Sequence, residues 1–184
     1  AFQADAFHAG MDEVFYIGQE ECPRCNGKNK AELFAGELKK IRNHLAQTNK
    51  KLWIWGDRLL DGKTSGLGIW EASGNQTESA IDLIPKDILI CDWHYERAEP
   101  TAAYFALKGF DVATSSWQKG AVAKAQMEFL ENLKKNANAE TAKHIMGMVH
   151  TSWSSASSFL DRFYAPFDEN KEDDAVCFKI LFGK

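Results

Sequence analysis

The sequence contains no apolar run long enough to span a membrane, and no signal peptide is visible in it. It has no basic stripe interleaved with aromatics, and its net charge is −4, so neither nucleic acid nor a membrane is an expected partner. Neither G-x-G-x-x-G nor G-x-x-x-x-G-K-[ST] follows any strand-like segment. That counts against a flavodoxin-like or other open α/β domain built around a phosphate group. Cysteine is scarce as well. Cys22, Cys25, Cys91 and Cys177 are too few for a disulfide framework in 184 residues. Cys22-Pro23-Arg24-Cys25 is the one cysteine motif. A metal there would need two more ligands, and no second C-x-x-C supplies them, although His8, His44 or an acid could complete a site. A local disulfide and a pair of free thiols in a turn are the other readings. No cofactor is implied. Ala1 is not a natural start, so residues upstream are expected, and the compartment is left undeclared.

What is abundant is apolar and aromatic. Hydrophobic residues make up 45% of the chain, enough for one buried core or a large piece of a bigger one. Six tryptophans stand out, because the indole N–H makes Trp a costly core filler unless it finds a partner. A rhythm of apolar strand followed by amphipathic helix runs along the chain. Strands are expected at Ala6–Gly10, in "KKLWIWGD", in "DILICDWHYE", in "DVATSSW" and in "HIMGMVHTSW". Helices are expected at Lys30–Gln47 (Phe34, Leu38, Ile41 and Leu45 on one face), weakly at Thr77–Leu83, at Pro100–Lys108 before Gly109, at Ala121–Asn136 (Val122, Ala125, Phe129 and Leu133 inward) and at Ser154–Tyr164. The "LWIW" run suits a strand buried on both faces. After Pro166 the tail turns acidic and then apolar, and reads as a linker to an extra strand.

Five strands alternating with helices predict a parallel sheet with right-handed crossovers. In such folds ligands bind at the carboxyl ends of the strands. Those ends carry Asp12/Glu13, Trp55/Asp57, Trp93/Tyr95/Glu96, Ser116/Trp117 and Thr151/Trp153. Trp53 and Trp70 fall outside the pattern and read as packing. Adjacent side chains on a regular strand point to opposite faces. Asp12 and Glu13 can therefore serve one substrate only where the strand ends or distorts, which fits Gly10 just before them. Alternatively, one acid pairs with a buried Arg or caps the next helix. Aromatic walls beside carboxylates suit a sugar. Two sequential acids do not easily straddle a glycosidic bond at the separation of about 5 Å or more that paired-carboxylate hydrolysis needs. They do suit a division in which one protonates the leaving oxygen and the other holds a substrate group that is itself the nucleophile.

"HAGMDEV", residues 8–14, resembles the H-x-G-x-D-E-V signature of the β-N-acetylhexosaminidases of glycoside hydrolase family 20. The longer "HAGMDEVFYIGQEE" is similar to the hexosaminidase D branch, and Trp55-Gly56-Asp57 resembles a W-x-E/D after the fifth barrel strand. The resemblance covers roughly residues 6–165. It implies that Glu13 is the general acid/base and that Asp12 orients a 2-acetamido group, whose carbonyl oxygen attacks the anomeric carbon. It further implies that Trp55, Trp93, Trp117 and Trp153 line the terminal-sugar pocket. Tyr95 would donate to the acetamido oxygen, Asp57 and Glu96 would bind sugar hydroxyls, and His8 would support the acids. W-H-Y-E departs from the family's Tyr-x-Asp. A non-catalytic carbohydrate-binding relative is the alternative.

In that family the D-E pair ends the fourth strand of an eight-stranded (β/α)8 barrel. The resemblance then assigns residues 1–166 to strands four to eight of the barrel and 167–184 to a tail. Strands one to three, and the Arg of strand one that grips sugar hydroxyls, would lie outside this sequence, since a complete barrel takes roughly 250 residues. The segment alone is expected to have little or no hydrolase activity, and its open sheet edges to invite pairing with another copy or with the absent strands.

Overall fold

The computed structural model describes residues 3–183. Its strands are β1 (Ala6–His8), β2 (Lys51–Trp55), β3 (Leu89–Trp93), β4 (Asp111–Ser116) and β5 (Ile145–His150). They form one all-parallel sheet in the order β1-β2-β3-β4-β5, flanked by helices. All five expected strands are present. The chain divides into two units, the first ending at Cys91 and the second beginning at Asp92.

In the first unit, β1 pairs with β2 in the register Ala6 to Lys51, and β2 with β3 in the register Trp53 to Leu89. Helix α1 (Lys30–Ala46) lies between β1 and β2 in the chain. Asn29 starts it by accepting the Glu32 amide at 3.0 Å, as an N-cap should. Ala31, Phe34, Ala35 and Leu38 are its buried face, whereas Ile41 and Leu45 are only half-buried. Strand β2 departs from expectation. Leu52 and Ile54 are buried, but Trp53 and Trp55 on the other face are half-exposed, so the run is buried on one side rather than both. After β2 come a 3-10 turn at Asp57–Leu59 and the one-turn helix α2 (Gly62–Ser65). A 3-10 segment at Glu78–Asp82 takes the place of the weak helix. Gly62 is required by close approach: a Cβ there would meet the Gly68 carbonyl oxygen at 2.3 Å and that of Ser73 at 2.9 Å.

In the second unit, α3 (Thr101–Leu107) follows β3, and Gly109, at φ +82°, turns the chain into β4. Strand β4 pairs with β5 through a register shift between Val112 and Ala113. Helix α4 (Gly120–Asn136) has the predicted span but not the predicted face. Ala123, Gln126 and Leu130 are buried, while Val122, Phe129 and Leu133 are half-buried and Ala125 is exposed. The inward stripe is rotated by one residue because Gln126 is used there, donating to the His94 carbonyl at 2.7 Å. A short helix α5 (Ala139–Ala142) precedes β5, and α6 (Ala156–Tyr164) follows it, capped by Ser155.

The tail is also different. It forms helix α7 (Asp174–Phe182) rather than an extra strand. The cause is local. Asp173 caps the first turn by accepting the Ala175 amide at 2.9 Å, and Arg162 of α6 reaches both Asp173 (2.9 Å) and Asp174 (2.7 Å). Burial by itself would raise the Asp174 carboxyl. Hydrogen bonds from Ser152, Ser154 and Arg162, together with the Arg162 charge, outweigh it and hold the group at about 2. No helix among the described residues is long and apolar enough to cross a membrane.

Candidate functional site

The first group of site residues lies in the first unit, where β1 stops. The parallel ladder runs on for two residues: the Ala9 amide donates to the Trp53 carbonyl at 2.9 Å, and the Trp55 amide to the Gly10 carbonyl at 3.0 Å. The backbone then leaves the strand through left-handed conformations at Gly10 (φ +74°), Met11 (+71°) and Glu13 (+51°). This is the distortion that two adjacent acids need if they are to serve one site. Non-glycine residues there are held against a cost of roughly 1–2 kcal/mol each.

What holds the turn is a buried ion pair. Asp57 Oδ2 accepts the Glu13 amide at 2.9 Å and the Arg58 Nε–H at 2.7 Å. Arg58 is fully buried, and its Nη2 lies 2.7, 3.0 and 2.6 Å from the carbonyl oxygens of Ile69, Trp70 and Ala72. Its guanidinium stands 5.1 Å from the centre of the Phe15 ring, which meets Trp70 edge-on. A second clamp follows directly: Asn75 Nδ2 donates to the carbonyls of Val14 (2.8 Å) and Phe15 (3.0 Å). Asn75 is itself seated against Ser73 and Thr77. With the backbone fixed at 13, 14 and 15, the Glu13 side chain is exposed and has no hydrogen-bond or ion-pair partner among the described residues. Asp12 is half-buried. His8 accepts the Gly10 amide at Nδ1 (3.1 Å), and its ring lies 4.5 Å from that of Trp55. Burial lowers the proton affinity of His8, and the Asp12 charge offsets this in part.

The second group lies in the second unit. Trp93, Tyr95 and Trp117 form a chain of ring contacts, 5.2 Å from Trp93 to Tyr95 and 5.6 Å from Tyr95 to Trp117. The Trp153 indole N–H donates to Tyr95 Oη at 3.2 Å, and Thr151 Oγ1, whose proton goes to the Ser116 carbonyl at 2.7 Å, lies 3.2 Å from the same Tyr95 oxygen. Trp153 is 59% exposed, so this cluster presents an open aromatic surface in which the Trp153 indole N–H is tied to Tyr95. Glu96 is exposed and ion-paired to Lys119 at 2.6 Å.

The structure thus gathers His8, Asp12, Glu13, Trp55 and Asp57 in one unit, and Trp93, Tyr95, Trp117 and Trp153 in the other. Asp57 is 2% exposed and committed to Arg58 and to the Glu13 amide. Its burial makes it the anchor of the acid-bearing turn rather than a ligand of sugar hydroxyls. Trp70 is 60% exposed, so it is no core filler either. Arg58 and Asn75 are the residues that the sequence reading missed. Of the three readings of Cys22 and Cys25, the structure has the disulfide. Among the described residues no group of three or more His, Cys, Asp or Glu side chains converges.

Fold and turn together define a parallel α/β protein with a clamped, acid-bearing bend at the end of its first strand. No family model matches the chain, and no curated protein matches it.

Proposed function

We propose that this chain supplies strands four to eight of the catalytic barrel of a retaining exo-β-N-acetylhexosaminidase, a member of glycoside hydrolase family 20 that acts on terminal N-acetylhexosamine. Glu13 protonates the glycosidic oxygen and afterwards takes a proton from water. Asp12 orients the 2-acetamido group, whose carbonyl oxygen attacks the anomeric carbon, the substrate-assisted route. Trp55, Trp93, Trp117 and Trp153 supply apolar faces for the pyranose, and Tyr95 a hydroxyl for the acetamido oxygen. One observation carries the reading: a left-handed turn, clamped by a buried ion pair, leaves the Glu13 carboxyl exposed and unpartnered. A proton donor needs a rigidly held backbone and an uncommitted carboxyl, and the clamped turn supplies both.

The test uses the longer protein that this reading implies and an aryl N-acetyl-β-glucosaminide. Glu13→Gln should lower kcat/KM by about 10²- to 10⁴-fold. It should still bind an N-acetylglucosamine-thiazoline, which resembles the intermediate. Turnover absent in both proteins with the thiazoline bound would favour a non-catalytic sugar-binding relative. Turnover equal in both would remove Glu13 from the chemistry.

A further inference from the structure

We propose that His8 is a proton-sensitive latch on the turn that carries Asp12 and Glu13, closing it only while the imidazole is neutral. The latch rests on the hydrogen bond and ring packing of His8. Its effect on turnover rests on the assignment of Glu13 above.

The Gly10 N–H points at Nδ1 of His8 from 3.1 Å, so Nδ1 must offer a lone pair, and the neutral ring carries its proton on Nε2. Protonation would put an N–H on Nδ1, donor against donor, and abolish the bond. Gly10 is where this matters. Its carbonyl closes the last ladder bond, to Trp55, and its φ of +74° begins the left-handed path to Glu13. The hydrogen bond from the Gly10 amide to His8 therefore fixes the residue at which strand becomes turn. The ring cannot readily swing to a compromise, because it packs 4.5 Å from the Trp55 ring at an interplanar angle of 59°. Nor is there compensation on its far side: Nε2 is buried and meets no hydrogen-bond acceptor among the described residues.

The charged group facing the ring is Asp12, which favours the imidazolium. From β2 the neighbours are Trp53, its register partner, and Trp55, neither of them charged. Burial outweighs Asp12, so the latch is closed at neutral pH and opens on acidification below the ordinary histidine range.

The test begins with this chain labelled with nitrogen-15. At pH 7.5 the His8 imidazole should show the Nε2–H tautomer, and the Gly10 amide resonance should move with the His8 titration. In His8→Asn the side-chain oxygen can still accept the Gly10 amide but cannot be protonated, so that resonance should be flat across the same range. In the longer protein, kcat/KM should carry an acid limb, falling up to tenfold per pH unit below the His8 transition, that His8→Asn lacks. An Nδ1–H tautomer at pH 7.5, or a Gly10 amide indifferent to the His8 titration, overturns the latch, and the wild-type tautomer decides this even if the variant fails to fold. The expected spectra together with a wild type that shows no turnover leave the latch standing and overturn the Glu13 assignment instead.

Discussion

Replacing Arg58 by leucine tests the clamp behind the turn. Arg58 is 0% and Asp57 2% exposed, and they are joined at 2.7 Å. Removing one partner of a buried ion pair costs about 3–5 kcal/mol, because the other charge is left without compensation. Arg58 also serves the carbonyls of Ile69, Trp70 and Ala72. Each of these that water cannot reach adds about 1 kcal/mol. Arg58→Leu should therefore lower the unfolding free energy by about 4–6 kcal/mol, a large share of the roughly 5–15 kcal/mol of an ordinary domain. Urea unfolding followed by far-UV circular dichroism measures it, with an unchanged slope showing that the unfolded state is not the cause. Asp57→Asn in the Arg58→Leu background removes the stranded charge and should recover about 2 kcal/mol. A loss below about 1.5 kcal/mol in the single variant, or no recovery in the double, would refute the claim that this pair is what pins residue 13.

Leu38→Ala, in the fully buried face of α1, should destabilise by about 2–5 kcal/mol in the same assay. Gly62→Ala should cost at least about 1–3 kcal/mol, since the new methyl would press on two backbone carbonyls rather than a movable side chain. Asp174, held at about 2 against an ordinary 3.8, gives stability that is complete above 3.8 and lost as the pH falls toward 2. Over that interval the wild type should lose about 2 kcal/mol more than Asp174→Asn. His8 and His150 are both lowered by burial, so the unfolded chain takes up protons first. Stability should decline as the pH drops below about 6.5, and His150→Gln should reduce that slope.

Elements with a strong period and flanking caps were legible. Helix α1 has Asn29 before it and Phe34 and Leu38 one turn apart, and β3 and β5 are largely apolar runs bounded by turn residues. The tail was not, because "VCFKILF" is apolar on every side and periodicity cannot separate strand from helix there. The signal that could have settled it was Asp173-Asp174, two capping acids directly ahead of the run. The inward face of α4 is not legible from periodicity, because a buried Gln126 displaces apolar side chains and only its distant partner, His94, reveals that. In the site, Gly10 did announce the distorted strand end. The bond from the Glu13 amide to Asp57 spans 44 residues, and no local pattern encodes it. An Arg beside an Asp in "GDRL" looks like an exposed charge pair until the fold closes over both.

The left-handed backbone at Met11 and Glu13 has a consequence for how such a sequence drifts. Glycine or asparagine would relieve roughly 1 kcal/mol at either position. Under selection for foldedness alone, random mutagenesis should enrich those two residues at 11 and 13. Under selection for the chemistry that needs residue 13, glutamate should persist there at the expense of stability.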